Sequence, residues 1–129
     1  MVVKVEIENY KLPSWNTLYA GKFWRVRQKL AQEAHELVKW AVYANPHLKL
    51  LKTQNLAFKT PCTETVTVHY TGNRRHDPDN ACIKLLNDGL VLAGVLVDDD
   101  SNAIKSITTI VKTGMPSNKV IIELHEEVG

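Results

Sequence analysis

Two segments of the chain carry the alternation of hydrophobic and polar residues that is typical of β-strands, and two more resemble strands. Residues 2–8 alternate apolar with charged side chains, which predicts a strand with one buried face. Residues 63–70 alternate in the same way and are rich in β-branched residues. Two further strands are predicted over residues 104–112 and 119–124, and the turn-forming residues 113–118 between them are long enough for a wide hairpin.

Two segments have the three- and four-residue spacing of an amphipathic helix. The first extends from Lys22 to about Ala44, and Pro46 ends it because the residue before a proline is displaced from helical geometry. The second is a helix of roughly 16 residues that begins after Asp77 and has its apolar stripe between Cys82 and Ala93; a glycine, a common helix terminator, follows it. The expected element order is therefore β-α-β-α-β-β.

The remaining segments connect these elements. Turn-forming residues within 9–20 predict a loop, and residues 47–61 predict a connection of no assigned structure. Helices packed on one face of a mixed four-stranded sheet bury both helical stripes and leave the fewest exposed edges. We expect a two-layer α+β fold. Because 129 residues are the length of one ordinary domain, we assign residues 1–129 to a single domain.

Composition narrows the class of protein. Hydrophobic residues make up 44% of the chain and charged residues 23%, which favours a globular protein over a disordered one. No apolar run approaches the roughly 18 residues that span a bilayer, and the first residues lack the layout of a signal peptide, so we expect a cytoplasmic protein without a membrane partner. Cys62 and Cys82 form no zinc-ligand motif and are expected to stay reduced.

Charge is distributed unevenly along the chain. Residues 1–75 contain 12 Lys and Arg against 5 Asp and Glu, whereas residues 76–129 contain 4 against 9. An acidic cluster on a basic scaffold suits a phosphodiester-cutting site, because the basic surface attracts phosphates while the carboxylates hold a cation. The other interpretation is a chance asymmetry of solvated charges.

Five of the six aspartates lie at the start of the second predicted helix and just beyond its end, at Asp77, Asp79 and Asp98–Asp100. Their carboxylates suit Mg²⁺, which takes oxygen ligands in an octahedron. The two groups meet only if the chain doubles back along the helix, as a strand at 97–100 would do. Two alternatives stay open, since Asp77 before Pro78 is the pattern of a helix N-cap and the later triplet that of a solvated turn.

Lys84 follows Asp77 by seven residues, a rotation about 20° short of two full helical turns. On one continuous helix its ammonium would lie over the same face as Asp77, where it could meet a phosphate. The alternative is a solvated surface lysine.

Two clusters of basic residues are candidates for binding nucleic acid. Arg74 and Arg75, immediately before the aspartates, can grip a nucleic-acid backbone, and Lys22 and Arg25 belong to a second cluster at the start of the first helix. His76 is given no role, because a lone histidine is more often structural.

The motif R-R-H-D-P-D-N at residues 74–80, the following helix with Lys84, and V-D-D-D at residues 97–100 resemble the RusA family of Holliday junction resolvases. Residues 12–16, L-P-S-W-N, are similar to the Pro-Ser-x-Asn segment that follows the first strand in that family. The similarity runs over most of the chain in order and is dense only between residues 73 and 100.

The resemblance implies a small homodimeric, Mg²⁺-dependent endonuclease that cuts four-way DNA junctions by paired, symmetric nicks in recombination and repair, with Mn²⁺ as a substitute ion. By position it makes Asp77, Asp79 and Asp99 the catalytic, metal-binding aspartates and Lys84 the required lysine. Here the lysine lies one residue further from the aspartate pair, and the acidic pair is a triplet. A one-residue insertion early in the helix explains both the displaced lysine and a shift of the residues downstream, which favours Asp99 over Asp98. The expected DNA contacts are Arg74, Arg75, Asn16, Lys22 and Arg25.

Other functions stay open. The same residues would serve a nuclease of broader specificity on flaps or other branched DNA. A non-catalytic DNA- or protein-binding module would use the aspartates to cap a helix and shape a turn, and Mg²⁺ would then change neither stability nor activity. A family member that kept the fold but lost catalysis is the third possibility.

Overall fold

The computed structural model describes residues 2–19, 24–45, 61–96, 101 and 103–126. Its fold is α+β, with helices packed on a mixed four-stranded sheet, which confirms the fold class expected from the sequence. None of the helices in this described part is long and apolar enough to cross a membrane.

The four strands are β1 (Val2–Glu8), β2 (Cys62–His69), β3 (Ile104–Lys112) and β4 (Lys119–Glu126). They follow the order β1-β4-β2-β3 across the sheet. Strand β4 is antiparallel to both of its neighbours, while β3 is parallel to β2. The last strand of the chain therefore occupies a central position between the first strand and the second.

The helices are α1 (Trp15–Tyr19), α2 (Trp24–Ala44) and α3 (Ile83–Leu92), with a short 3₁₀ turn at Pro78–Asn80. Helix α1 lies in the segment where the sequence predicts a loop, so that prediction is wrong. One turn of helix is too short to show a periodic apolar stripe, and the turn-forming residues around it dominate the pattern. Most of the predicted connection 47–61, and Lys22 with the predicted start of the first helix, lie outside the described residues.

The core lies between one face of the sheet and the two longer helices. Strands β1, β2 and β4 each bury alternate residues, as their alternating sequences predict. Helix α2 contributes Ala34, Val38 and Val42, which are fully buried at four-residue spacing. Helix α3 packs against α2 at Gly89, where a Cβ atom would lie 3.0 Å from Val38 Cβ. Glycine is needed here because two helix backbones approach closely.

The wide hairpin predicted between the last two strands does not form. Strand β2 lies between β3 and β4, and segment 113–118 crosses the end of β2 instead of turning back on itself. Gly114 N–H donates to Gly72 O at 2.8 Å, and Met115 N–H donates to Tyr70 O at 2.9 Å, which fixes this crossing. The physical reason is burial. Strand β2 buries every second side chain and belongs in the interior, whereas β3 is exposed along most of its length and suits the edge.

Candidate functional site

Two motifs that are more than sixty residues apart in the sequence lie side by side. Ser14 forms an antiparallel bridge with Ala81, and Cys82 N–H donates to Pro13 O at 3.2 Å. Asn16 N–H donates to Asn80 Oδ1 at 3.3 Å. The segment L-P-S-W-N therefore runs along the segment D-P-D-N, so the structure brings together the two motifs on which the family resemblance depends.

This contact interrupts the second predicted helix. Residues Pro78–Asn80 form the separate 3₁₀ turn, Ala81 has extended geometry (φ −70°, ψ 128°), and the α-helix begins only at Ile83. Asp77 precedes the 3₁₀ turn and makes no side-chain capping hydrogen bond. The alternative in which Asp77 caps the long helix is therefore wrong, because the pairing of Ala81 with Ser14 and of Cys82 with Pro13 takes the chain out of helical geometry between Asn80 and Ile83.

The break in the helix also removes the argument that Lys84 shares a helical face with Asp77. Lys84 does share a cleft with the other aspartate of the turn, Asp79. Both line a cleft of about 350 Å³ between α1, α3 and the edge strand β3, which we call the lysine cleft. The Lys84 ammonium lies 3.2 Å from Asp88 Oδ1, one helical turn further along α3, and its side chain is 57% exposed. The Lys84 ammonium is therefore held by Asp88 and is still accessible to a ligand. The lysine cleft is lined by Trp15, Pro78, Asp79, Ala81, Ile83, Lys84, Asn87, Ile107 and Thr109.

A second cleft, of about 480 Å³, lies on the other side of the 3₁₀ turn, and we call it the arginine cleft. It collects three of the five residues predicted to contact DNA: Arg74, Arg75 and Asn16. Its floor includes Tyr70 and His76, whose rings stack in parallel with centroids 3.7 Å apart. His76, which the sequence left without a role, therefore has a packing role. The arginine cleft is lined by Lys11, Leu12, Pro13, Ser14, Asn16, Leu30, Tyr70, Arg74, Arg75, His76, Asp77 and Asn80.

The other two predicted DNA contacts are not part of these clefts. Arg25 lies on α2, with its guanidinium carbon 5.5 Å from the centre of the Trp24 ring, and it lines neither cleft. Lys22 lies outside the described residues. The lysine at the rim of the arginine cleft, Lys11, was missed, because an isolated lysine after a strand gives no signal in the sequence.

The predicted metal ligands are divided between the two clefts. Asp77 lines the arginine cleft and Asp79 the lysine cleft, and both side chains are exposed. Asp99 and its neighbours 98–100 lie outside the described residues, within which no three His, Cys, Asp or Glu side chains form a group that could hold a metal ion. Two accessible carboxylates on one short turn still fit Mg²⁺, which is commonly held by one or two carboxylates together with water and substrate phosphates.

A buried polar pair lies under the lysine cleft. Glu64 on β2 is only 1% exposed, and Asn87 Nδ2 donates to its Oε1 at 2.9 Å. Burial raises the pKa of Glu64 to about 7, although the hydrogen bond from Asn87 opposes that rise. Glu64 Oε2 and Asn87 Oδ1 have no partner among the described residues. The sequence held a signal for this pair, since the alternation of β2 places Glu64 on the same face as Val66 and Val68.

Comparison with known proteins adds no relatives. No family model and no curated protein sequence matches the chain. The two clefts and the turn between them are what bears on its function.

Proposed function

We propose that the chain is a magnesium-dependent endodeoxyribonuclease that resolves four-way DNA junctions by paired nicks, acting in the cytoplasm in recombination and repair. The observation that carries this proposal is the contact between segments 12–16 and 77–82, which places an acidic turn between a cation-rich cleft and a cleft containing Lys84. A site that cuts a phosphodiester needs both a cationic surface and groups that act on the phosphate. Cations hold the strand, while carboxylates and a positive charge act on the phosphate to be cut.

The acidic residues would supply the ion site. Asp77, Asp79 and Asp99 would hold Mg²⁺, or Mn²⁺ in its place, with hard oxygen ligands. When bound, such an ion supplies Lewis-acid chemistry that activates a water for attack on a phosphodiester. Asp77 and Asp79 lie two residues apart across the 3₁₀ turn, and the backbone bond from Asn80 N–H to Asp77 O at 3.0 Å fixes their spacing.

Lys84 would stabilise the negative charge that develops on the phosphate. Its ammonium is near Asp88, which orients the lysine without burying it. The lysine cleft is partly closed by Trp15 and Ile107, and an apolar wall strengthens the attraction between an ammonium and a phosphate.

The remaining residues would position DNA. Arg74, Arg75 and Asn16 converge on the arginine cleft next to the aspartates, so they would hold the backbone beside the phosphate to be cut. Arg25 on α2 would add a further DNA contact, and Lys22, which lies outside the described residues, is proposed to do the same. Two symmetric nicks on opposite strands require two such sites, so we propose that the active form is a homodimer.

The experiment that tests this function compares labelled four-way junctions, flaps and linear duplex, with and without Mg²⁺. The purified protein is expected to nick the junction in pairs, and Asp79→Asn is expected to abolish cutting while leaving junction binding intact. The matched control is Glu36→Gln, an exposed carboxylate on α2 that lines neither cleft.

The outcomes separate the alternatives. Equal cutting of all three substrates would make the protein a nuclease of broader specificity. Tight junction binding without cutting in Mg²⁺ or Mn²⁺ would make it a binding module or an inactive family member. Cutting by Asp79→Asn at the parent rate would remove the acidic turn from the mechanism.

A further inference from the structure

The arginine cleft has a charge that suits one phosphate group. Lys11, Arg74 and Arg75 contribute three positive charges, and Asp77 contributes one negative charge, which leaves a local balance of +2. All four side chains are exposed, so they meet solvent at the rim of the cleft. Arginine pairs are well suited to phosphate oxygens because their donors are arranged in a planar fork.

The opposite wall of the same cleft is apolar. Leu12 and Tyr70 are buried beneath it, and Pro13 and Leu30 are half-buried along its side. A site for the phosphate alone needs no such wall, and a flat contact with duplex backbone needs no concavity. Its volume of about 480 Å³ falls within the roughly 300–1,000 Å³ of small-molecule sites. The cleft therefore has room and surface for a sugar and a base as well as a phosphate.

The floor and one side of the arginine cleft are fixed by contacts. Tyr70 OH donates to Leu12 O at 3.4 Å, and the stacked ring of His76 covers the other face of the tyrosine. Asn80 Oδ1 accepts from Asn16 N–H, which leaves the amide Nδ2 of Asn80 as the donor on that side chain. A rigid apolar floor with a placed amide donor suits the polar edge of a base.

We infer that the arginine cleft binds a single unpaired deoxynucleotide, with its phosphate on Lys11, Arg74 and Arg75 and its base against the apolar wall beside Leu12 and Leu30. This inference rests on the proposed function and deepens it, because unpaired nucleotides occur in branched DNA such as flaps and opened junctions and not in a continuous duplex. Removing a base from the stack costs a few kcal/mol, least where pairing is already broken. Contacts in the cleft would offset that cost, so the protein would bind branched DNA more tightly than linear DNA.

The first test uses mononucleotides in EDTA, so that cutting plays no part. The four deoxynucleoside 5′-monophosphates, the matching nucleosides and inorganic phosphate are titrated into the full chain by calorimetry and amide NMR. We expect at least one monophosphate to bind at least about tenfold more tightly than its nucleoside and than phosphate. The amide signals that shift should include those of residues 74–76.

Substitutions identify which residues contact the phosphate of the nucleotide and which contact its base. Lys11→Ala and Arg74→Ala should each weaken monophosphate binding by roughly tenfold, as expected for loss of one charge-assisted hydrogen bond. Leu30→Ala should weaken monophosphate binding but not phosphate binding. Lys39→Ala, which removes an exposed charge elsewhere on α2, should change neither. Because Lys11, Arg74 and Lys39 are exposed, these three variants are expected to fold normally.

Failure of this inference differs from failure of the proposed function. Junction cutting without monophosphate binding would overturn the nucleotide site and leave the nuclease intact. Phosphate binding as tight as any monophosphate would also overturn it, since the apolar wall would then have no ligand. Monophosphate binding that depends on Lys11 and Leu30, in a protein that cuts no DNA, would support the nucleotide site and overturn the nuclease.

Discussion

The arginine cleft and the lysine cleft lie on either side of one 3₁₀ turn, yet they are built differently. The arginine cleft has three cations against one carboxylate. The lysine cleft has a single cation, already beside Asp88, and lies over the buried pair of Glu64 and Asn87. An excess of positive charge suits capture of a charged ligand, whereas a single cation held beside a carboxylate suits action on one phosphate. Under the proposed function, DNA binding and phosphodiester cutting would therefore lie on opposite sides of the three-residue turn Pro78–Asn80.

The largest expected effect comes from removing the cation of the lysine cleft. Lys84→Met keeps the length of the side chain but removes its charge, and we expect junction cutting to slow by at least about 100-fold, because one electrostatic contact to a transition state contributes about 3 kcal/mol. Junction affinity should change by less than about fivefold. Single-turnover cleavage and a gel-shift assay measure the two quantities. Lys39→Met is the matched control, and a Lys84→Met protein that cuts normally would show that the chemistry lies elsewhere.

The buried pair under the lysine cleft predicts a dependence of stability on pH. The pKa of Glu64 rises on folding from an ordinary 4.5 to about 7, so the folded protein holds a proton between these values that the unfolded chain has released. This contribution is fully present below pH 4.5 and is lost as the pH rises through 7. At pH 8 the ionised, buried carboxyl should cost up to about 3 kcal/mol of unfolding free energy.

Glu64→Gln should remove this dependence, since the amide can still accept from Asn87 and carries no charge. Urea unfolding between pH 5 and pH 8 measures it. The parent protein should lose stability over this range, the Gln variant should lose much less, and the exposed control Glu36→Gln should behave as the parent. A parent protein equally stable at both pH values would contradict the burial of an ionisable group here.

Removing one cation from the arginine cleft should give a smaller and different effect. Arg74→Ala is expected to weaken junction binding roughly tenfold and to lower the slope of log affinity against log salt by about 1. The single-turnover rate at saturating protein should stay within about threefold, since Arg74 does not line the lysine cleft. Fluorescence anisotropy at several salt concentrations measures this, with Lys39→Ala as control. A fall in the saturated rate as large as for Lys84→Met would merge the two clefts into one functional unit.

The smallest expected effect tests the packing that holds α3, and with it the lysine cleft, in place. Gly89→Ala would put a Cβ 3.0 Å from Val38 Cβ and within 3.3 Å of both valine methyl groups. Val38 is fully buried and β-branched, so it has little freedom to move, and the cost should be about 1–2 kcal/mol after any gain in helix propensity.

Thermal and urea unfolding measure this cost. Gly72→Ala, at an exposed glycine with only ordinary van der Waals contact, should change stability by less than about 0.5 kcal/mol. Adding Val38→Ala to the Gly89 variant should relieve the clash, so the effects of the two substitutions should not add. Full additivity would mean that the helices separate here without strain.

The sequence predicts well where one local rule applies. Alternation located β1 and β2 within a few residues, strand-like runs located β3 and β4, and apolar spacing located both longer helices. Since those elements can bury their apolar faces in few ways, the fold class followed from them. The acidic turn, Lys84 and Arg74 were also singled out from sequence. The structure places Asp77 and Arg74 in the arginine cleft and Asp79 and Lys84 in the lysine cleft, and their functional roles stay predictions.

The sequence fails where a distant contact decides the outcome. The pairing of Ser14 with Ala81 divides a segment whose own sequence predicts one helix. The placement of β2 between β3 and β4 prevents the hairpin that the sequence of residues 104–124 predicts. Both contacts join residues far apart in the chain, and no window of ten or fifteen residues contains them. The role predicted for Asp99 stays a prediction.

The strand order determines when the sheet can form during synthesis of the chain. Strand β4, the last of the described strands to leave the ribosome, is the only one of them that pairs with β1, and it also covers one edge of β2. Until residue 126 has emerged, β1 has no strand beside it and β2 has one open edge, so a nascent chain has unpaired backbone at two places. The pairing of Val2 with His125 joins residues 123 positions apart, so closing the sheet is a late and slow step. A chain released before β4 has been made would therefore be prone to aggregation.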